Sequence, residues 1–308
     1  MIRERGPEDD AAIAQIIREV APGWVTTERG VRHRRRTTLP RARRGDWVVE
    51  VEGEAVGWSS AGLKTDGDRD DVAWVNVFVR PAWAGRGLGT ALWEPVEAHV
   101  AALGARRILG DGAESPASRA YAERRGFRHT QTTRLSSLDP RAVDETELTL
   151  LADARTNGVT FEPFSTFEEA PELVYAVDAE ASLDEPADEP ITNWPFEEWL
   201  DAAWRQPDLS HEGSFCAVQK GRPVAMAELR IDLEGGRAAN GFTGTLRSHR
   251  GRGLARLAKL ASIAWLRERG FTSLVTQNDE TNAAMLAVNT RLGYRPDASW
   301  LSYVRDVE

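Results

Sequence analysis

The stretch His249-Arg250-Gly251-Arg252-Gly253-Leu254-Ala255 (HRGRGLA) decides how the fold of this chain is interpreted. A strand-like segment, residues 238–246, comes before its glycines, and a long amphipathic segment, residues 254–269, follows them. A glycine turn that leads a strand directly into a helix points several backbone N–H groups at one place, where the helix dipole favours negative charge. The local sequence therefore predicts a diphosphate site.

The residue types of this loop suit a phosphate ligand. Gly251 and Gly253 have no Cβ atom that would keep a phosphate from the backbone, and Arg250 and Arg252 add mobile positive charge. The commoner phosphate motifs do not fit, because a P-loop needs GxxxxGK[ST] and a dinucleotide loop needs a third small residue one position later. A tight turn that only lets a helix pack on a sheet is the structural alternative.

The same loop pattern occurs in the first half of the chain, at Gly85-Arg86-Gly87-Leu88-Gly89. Two further pairs keep nearly the same separation: residues 47–53 (WVVEVEG) match 215–221 (FCAVQKG), and residues 125–128 (RGFR) match 292–295 (LGYR). A repeat of this length is too long for a solenoid unit, and 308 residues suit two domains. The pattern predicts a duplicated domain.

Each copy has the same predicted order of elements, in which a strand, a helix, a hairpin and a third strand lead to the glycine loop. A long helix, over residues 88–103 or 254–269, then precedes a further strand, a helix and a closing strand. The predicted fold class is α/β with a mixed sheet: two tandem domains, each a twisted mixed β-sheet flanked by helices. We expect the domains at residues 1–140 and 159–308, with a linker helix and turn at 141–158.

Two motifs of the second copy resemble signatures of the GCN5-related N-acetyltransferases. The loop at Arg250, preceded by Thr245 and Leu246 at the strand end, resembles the family's R/Q-x-x-G-x-G/A signature. Residues 276–294 resemble its second signature, an asparagine-bearing strand end followed by a helix that stops at a Gly-aromatic pair. The order of elements extends the resemblance over essentially the whole chain. It is weakest near residues 20–46 and 180–210, where an acceptor would bind.

The resemblance implies that acetyl-CoA, without a metal, lies in the split between the fourth and fifth strands of a domain and gives its acetyl group directly to an amine. The implied cofactor-binding residues of the second copy are Thr245, Leu246, Arg250, Gly251, Arg252, Gly253, Leu254, Ala255, Asn278 and Asn282. Those of the first copy are Val79, Gly85, Arg86, Gly87, Leu88 and Gly89. Helix capping by Asn282 and turn formation at Asn278 are compatible with this role.

Two side chains of the second copy are candidates for catalysis. Glu228 lies in an otherwise apolar strand and is the candidate base, because an acceptor ammonium must lose a proton before it attacks. An ordinary outward-facing strand carboxylate is the alternative. The family's thiolate-protonating tyrosine is replaced here by Asn289, which could stabilise the thiolate by hydrogen bonding, unless solvent supplies the proton.

The first copy departs further from the family pattern. Ala84, Asp111 and Ser115 stand where the second copy has Arg250, Asn278 and Asn282. At the positions of Glu228 and Asn289 the first copy has Ser60 and Ala122. We therefore expect catalysis in the second copy, and the first copy either binds acetyl-CoA or only packs.

Composition narrows the classes of molecule that this protein is expected to bind. The net charge of −9 argues against nucleic acid and mildly favours a cationic small molecule. The basic segment at residues 32–44 predicts a solvated face or an anion-binding rim, and Trp194, Trp199 and Trp204 predict core packing or a wall of an acceptor pocket. Cys216, the single cysteine, suits a buried strand.

No histidine spacing suggests a metal ligand set, and the apolar runs are too short for a membrane span, so we expect a cytoplasmic monomer or homodimer. The predicted function is acetyl-CoA-dependent N-acetylation of a primary amine of a small molecule. The alternative is a non-catalytic protein that binds or senses acyl-CoA.

Overall fold

A computed structural model describes residues 1–307, and the side chains of all of them except residues 155 and 156. The chain divides into two compact units. The first contains Met1–Thr133, Asp188–Pro190 and the chain from Ala298 onwards, and the second contains Arg134–Ala187 and Ile191–Asp297. Each unit holds the predicted order of elements, with its closing strand supplied by the other copy of the repeat.

In the first unit a mixed sheet runs in the order β1-β2-β3-β4-β5-β12. The neighbours are antiparallel except β4 and β5, which are parallel. The strands of this sheet are β1 (Ile2–Glu4), β2 (Gly45–Val51), β3 (Glu54–Leu63), β4 (Val72–Val79), β5 (Arg107–Ala113) and β12 (Arg295–Asp306). The helices are α1 (Asp10–Val20), α2 (Glu28–Thr37), α3 (Leu88–Leu103) and α4 (Pro116–Glu123).

The second unit repeats this arrangement in the order β7-β8-β9-β10-β11-β6, and its parallel pair is β10 with β11. Its strands are β6 (Arg128–Leu138), β7 (Val159–Pro163), β8 (Phe215–Gln219), β9 (Arg222–Asp232), β10 (Arg237–Thr245) and β11 (Leu274–Asp279). Its helices are α5 (Glu145–Thr156), α6 (Glu172–Ala181), α7 (Phe196–Trp199), α8 (Leu254–Glu268) and α9 (Ala283–Leu292). The predicted fold class, two tandem units with mixed sheets flanked by helices, is confirmed.

The closing strands fall differently from the predicted boundaries. The C-terminal strand β12 pairs with β5 over Trp300–Asp306 and so completes the first unit, although it ends the second repeat in the sequence. The last residues of β6, from Arg134, belong to the second unit. Leu301 and Tyr303 of β12 pack with Ile108 in the first unit's core, so this strand supplies buried apolar area as well as backbone hydrogen bonds.

Each long helix covers one face of its own sheet with an apolar stripe. Val96 and Val100 of α3 pack on Ile108 of β5, and Leu260 and Ile263 of α8 pack on Leu274 of β11. All of these side chains are buried. Because each helix begins directly after a glycine loop, this packing also fixes where the loop lies relative to the sheet.

Candidate functional site

The parallel strands of each unit pair only along their first halves. In the second unit the register of β10 with β11 ends at Ala239↔Val275, although both strands continue beyond these residues. In the first unit the register of β4 with β5 ends at Val75↔Gly110. Backbone groups past these points lack a strand partner in the parallel pair, so each sheet has an opening where a ligand with amide groups can hydrogen-bond.

The two glycine loops adopt the same conformation at the end of these openings. Gly251 and Gly253 have φ angles of 75° and 73°, and Gly85 and Gly87 have φ angles of 76° and 80°. A Cβ atom at any of the four would meet no protein atom within 4 Å, so the backbone angle is what favours glycine over other residues. Helices α8 and α3 begin at the next residue, where the first N–H groups have no acceptor within the helix.

Arg250 of the second loop and Arg247 just before it share one acidic partner. Asp184, which follows α6, accepts hydrogen bonds from Arg250 Nη2 at 2.5 Å and from Arg247 Nε at 2.9 Å. These two hydrogen bonds hold the pKa of Asp184 well below its usual range. Arg250 Nε also donates to Thr245 O at 3.1 Å, and Arg252 Nη1 donates to Gln219 Oε1 at 3.2 Å. The predicted loop residues Thr245 and Arg250 are thus in direct contact, whereas Arg252 contacts the end of β8.

Glu228 lies beside the point where β10 leaves β11. The register of β9 with β10 shifts between Asn240 and Thr243, and this bulge turns the N–H of Phe242 onto Glu228 Oε2 at 3.2 Å. Asn240 Nδ2 donates to the Glu228 backbone oxygen at 3.3 Å. The Glu228 side chain is only 7% exposed, so it is not a solvated surface carboxylate.

A second carboxyl group lies near Glu228. Asp178 of α6 accepts a hydrogen bond from Trp199 Nε1 at 2.8 Å. Burial, with a further contribution from the charge of Glu228, raises the pKa of Asp178 to about 7. The sequence repeat could not reveal Asp178, because none of its matched motifs lies in α6. This helix comes just before the segment where the resemblance is weakest.

The predicted amide side chains of the second unit are connected by hydrogen bonds. Asn282 Oδ1 caps α9 by accepting from Met285 N at 3.1 Å. Asn289 Nδ2 donates to Asn278 Oδ1, and Asn289 Oδ1 accepts from Lys259 Nζ at 2.7 Å. Both polar atoms of Asn289 therefore make hydrogen bonds within the protein, and one N–H of its amide group is left over.

Lys259 is a buried residue of α8 that the sequence motifs do not include. It is 1% exposed, in a helix turn that otherwise carries Ala258, Leu260 and Ala261. A single lysine within an apolar stretch of a helix is the signal that could have identified it, because a lysine is almost never fully buried unless it is paired.

The opening of the first unit is a cavity of about 510 Å³. Its lining includes five of the six first-copy residues predicted to bind the cofactor, all but Arg86: Val79, Gly85, Gly87, Leu88 and Gly89. The Arg86 guanidinium instead lies over the Trp83 ring, 4.6 Å from its centroid.

Asp111, near the end of β5, lines this cavity. Desolvation by the surrounding protein raises the pKa of Asp111 to about 6, while a hydrogen bond from Trp300 Nε1 at 2.8 Å opposes the increase. On α4, Tyr121 donates its hydroxyl to Gly89 O at 2.8 Å, and burial raises the pKa of Tyr121 to about 12. The first opening therefore has polar walls that differ from those of the second.

Other predicted features have structural roles. Trp199 and Trp204 are buried in a core cluster with Phe164 and Val174, as core packing predicts. Cys216 is buried in β8, as predicted. In the basic segment, Arg35 of α2 makes an ion pair with Asp10 at 3.0 Å.

No group of three or more His, Cys, Asp or Glu side chains arranged to hold a metal occurs among the described residues. Over the same part of the chain, no helix is long and apolar enough to cross a membrane.

The comparison with protein families agrees with the geometry in both units. Residues 12–127 and 176–294 each match the model of the Acetyltransferase (GNAT) family. The chain belongs to the GNAT family of acetyltransferases. It is therefore an enzyme that transfers an acetyl group to an amine, and the GNAT match occurs twice, as the tandem prediction requires.

Individual relatives extend this assignment. The GNAT chain is 27% identical, over 265 residues, to a mycothiol acetyltransferase of Amycolatopsis mediterranei (strain U-32), with 84% of this chain and 83% of that protein covered. A mycothiol acetyltransferase of Acidothermus cellulolyticus is 26% identical, with 81% and 75% covered.

Two solved structures share the fold of the whole chain. A tandem GNAT protein from the clavulanic acid biosynthesis pathway superposes with a TM-score of 0.70 at 20% identity, covering 99% of this chain and 98% of that one. A GCN5-related N-acetyltransferase from Sphaerobacter thermophilus superposes with a TM-score of 0.68 at 20% identity, covering 99% and 95%. At this identity the likeness concerns the GNAT fold alone.

Proposed function

We propose that the second unit transfers the acetyl group of acetyl-CoA to a primary amine of a small molecule, with Glu228 as the base. The observation that carries this proposal is the position of Glu228: a buried carboxylate lies at the level where β10 and β11 separate, in the same unit as the Arg250 loop. The curated relatives are mycothiol acetyltransferases, so an amine related to mycothiol is the first acceptor to test.

The residues of the second opening suit acetyl-CoA. Free N–H groups at the start of α8 and the side chains of Arg250 and Arg252 suit its diphosphate. The end of β10 at Thr245 and Leu246 suits its pantetheine amides. Bound acetyl-CoA would supply an activated acetyl group, and the protein supplies orientation, which is worth roughly 7–11 kcal/mol when the reacting groups are held in line.

The acidic residues near Glu228 suit the acceptor. An ammonium group is attracted to the carboxyls of Glu228 and Asp178 and becomes a nucleophile when it gives up one proton. Glu228, held by the N–H of Phe242, can take that proton directly or through one water. The amine nitrogen then attacks the thioester carbonyl and loses its second proton to solvent, the C–S bond breaks, and the thiolate leaves with a proton from solvent.

For the first unit we propose a pocket that binds acyl-CoA without transfer. Its loop and its cavity of about 510 Å³ resemble a cofactor site, whereas Ser60 stands where the second unit has its base. Ser60 is fully buried and accepts a hydrogen bond from Asn76 Nδ2 at 3.5 Å. A neutral hydroxyl at that position cannot act as a carboxylate base at neutral pH.

The test is a screen of amines, including a mycothiol-related amine, by release of CoA thiol from acetyl-CoA. We expect release with the wild type. In the Gly87→Asp background, which leaves only the second opening to titrate, we expect Gly253→Asp to weaken acetyl-CoA binding at least tenfold, because its carboxylate would face the diphosphate. Gly270→Asp is the matched control: Gly270 also has a positive φ (74°) and open space at its Cβ, but it ends α8. Binding without thiol release for any amine would favour the alternative, a non-catalytic acyl-CoA-binding protein.

A further inference from the structure

Lys259 is a buried cation whose contacts all lie within the second unit. Its Nζ donates to Asn289 Oδ1 on α9 at 2.7 Å and to Thr276 Oγ1 on β11 at 3.2 Å, and it lies 4.9 Å from the centroid of the Tyr294 ring. Among the described residues it makes no ion pair, and burial lowers its pKa to about 7. Burying a lysine without a counter-ion costs stability, so a stabilising role does not explain it.

The donor and acceptor chemistry of Lys259 fixes the orientation of two amide side chains. A lysine ammonium has three donors and no acceptor, so Asn289 must turn its oxygen toward Lys259 whenever the lysine is protonated. The amide nitrogen of Asn289 then points away and donates to Asn278 Oδ1. This bond uses Asn278 Oδ1 as the acceptor. The Nδ2 of Asn278 has no hydrogen-bond partner in the described part of the chain.

Asn278 lies at the opening between the parallel strands. It is on β11 beyond Val275, the last residue of that strand in register with β10, and it is half-buried. A donor at this place faces a ligand that enters the opening, and a carbonyl oxygen is the group that matches it.

We propose that Lys259 is a positioning residue: through Asn289 it sets the direction of a hydrogen-bond relay, so that Asn278 presents an N–H donor to a carbonyl oxygen of the ligand in the second opening. The ligand is the acyl-CoA of the proposed function, and the inference rests on that proposal. Lys259 itself does not touch the ligand.

The first unit lacks every member of this relay. Counting from the loop glycines, Trp93 occupies the place of Lys259. Counting back from the glycine of the Gly-aromatic pair, Ala122 and Asp111 occupy those of Asn289 and Asn278. When ionised, Asp111 can only accept, so the first opening presents an acceptor where the second presents a donor. The relay therefore distinguishes the two openings by hydrogen-bond polarity.

The test is a double-mutant cycle on acetyl-CoA affinity, measured by calorimetry in the Gly87→Asp background so that only the second opening is titrated. Asn278→Asp keeps the acceptor for Asn289 but removes the donor, and we expect roughly 10- to 100-fold weaker binding, as for an unsatisfied buried polar group. Lys259→Met keeps the length of the side chain, and we expect roughly 3- to 10-fold weaker binding because both amides can then turn over. Ser262→Ala, at a buried position of the same helix, is the control and should bind normally.

The combination decides between a relay and independent packing effects. If Lys259 acts through Asn278, Lys259→Met adds little to Asn278→Asp, whereas separate structural effects multiply. Asn289→Leu interrupts the relay at its middle and must show the same lack of additivity, which covers the case that Lys259→Met does not fold. Multiplying losses, or normal affinity of Lys259→Met, would overturn the relay. In the same background, an affinity left unchanged by Gly253→Asp would instead overturn the cofactor site itself.

Discussion

Asp184 Oδ2 lies 2.5 Å from Arg250 Nη2, so a carboxylate already occupies the charged side of the loop proposed to bind a diphosphate. The same carboxylate accepts from Arg247. Asp184 belongs to the segment that follows α6, which has no counterpart in the matched motifs of the repeat. The acceptor-side segment and the cofactor loop are thereby joined by ion pairs that a phosphate group would have to replace or share.

Replacing Asp184 by Asn should strengthen acetyl-CoA binding. Exposed ion pairs do little to hold arginine side chains in place, whereas a carboxylate near a diphosphate repels it. We therefore expect the Kd for acetyl-CoA to fall roughly two- to fivefold at low ionic strength and the gain in affinity to disappear in high salt. Calorimetry at two salt concentrations measures this. Asp201→Asn, which removes the exposed partner of Arg205, is the control. Weaker binding by Asp184→Asn would show that Asp184 holds the arginines in place.

Replacing Glu228 by Gln should lower turnover and leave cofactor affinity nearly unchanged. A positioned base contributes roughly 10²- to 10⁴-fold, so we expect kcat to fall within that range. The loss should shrink as pH rises toward the pKa of the acceptor amine, because free amine then needs no base. Glu234→Gln, in the exposed turn between β9 and β10, should behave as wild type. A loss that is constant with pH would exclude Glu228 as the base.

The features that a local motif determines could be predicted from the sequence. A glycine loop marks both the end of a strand and the start of a helix, so the predicted helix 88–103 has the bounds of α3, and 254–269 ends one residue after α8. Glu228 could be singled out because one acidic residue interrupts an apolar strand, although the bulge that turns Phe242 toward it could not be predicted.

Features that depend on contacts between distant segments could not be predicted. Both closing strands, β6 and β12, follow a Gly-aromatic pair, and no local sequence feature of either strand determines which sheet it joins. Asp184 lies in the segment with the weakest resemblance and Asp178 on the helix just before it, so their approach to Arg250 and Glu228 depends on tertiary packing alone.

Disrupting the first glycine loop should remove acetyl-CoA binding in the first unit and leave acetyl transfer by the second unit. Gly87→Asp places a carboxylate at the start of α3, facing the first cavity, and we expect the acetyl-CoA stoichiometry to fall from two to one while kcat changes less than about threefold. Calorimetry and thiol release measure the two effects on the same preparation. Gly104→Asp is the control, since Gly104 has a φ of 72° and open space at its Cβ but ends α3. Loss of turnover in folded Gly87→Asp protein would place catalysis in the first unit.

Lys259→Met should stabilise the protein at acidic and neutral pH more than at alkaline pH. Burial lowers the pKa of Lys259 from 10.5 to about 7, so between these values the unfolded chain holds a proton that the folded chain lacks. The free energy of unfolding of the wild type therefore increases with pH across this window. Below pH 7 the folded protein bears the full cost of burying the charge. Methionine does not titrate, so the advantage of the variant is greatest below about pH 7 and shrinks toward about pH 10.

The measurement is urea unfolding of both proteins at about pH 6 and about pH 9.5, where we expect the stability difference to change by roughly 1–3 kcal/mol, since one pKa unit corresponds to ~1.4 kcal/mol. Thr276, Asn289 and Tyr294 face the Lys259 amine, and burial raises the pKa of Tyr294 well above 10, so no neighbour in contact titrates in this window. Lys220→Met, at an exposed turn, makes the same chemical change without burial and should show no such pH dependence. A pH-independent difference for Lys259→Met would mean that Lys259 keeps an ordinary pKa in the folded protein.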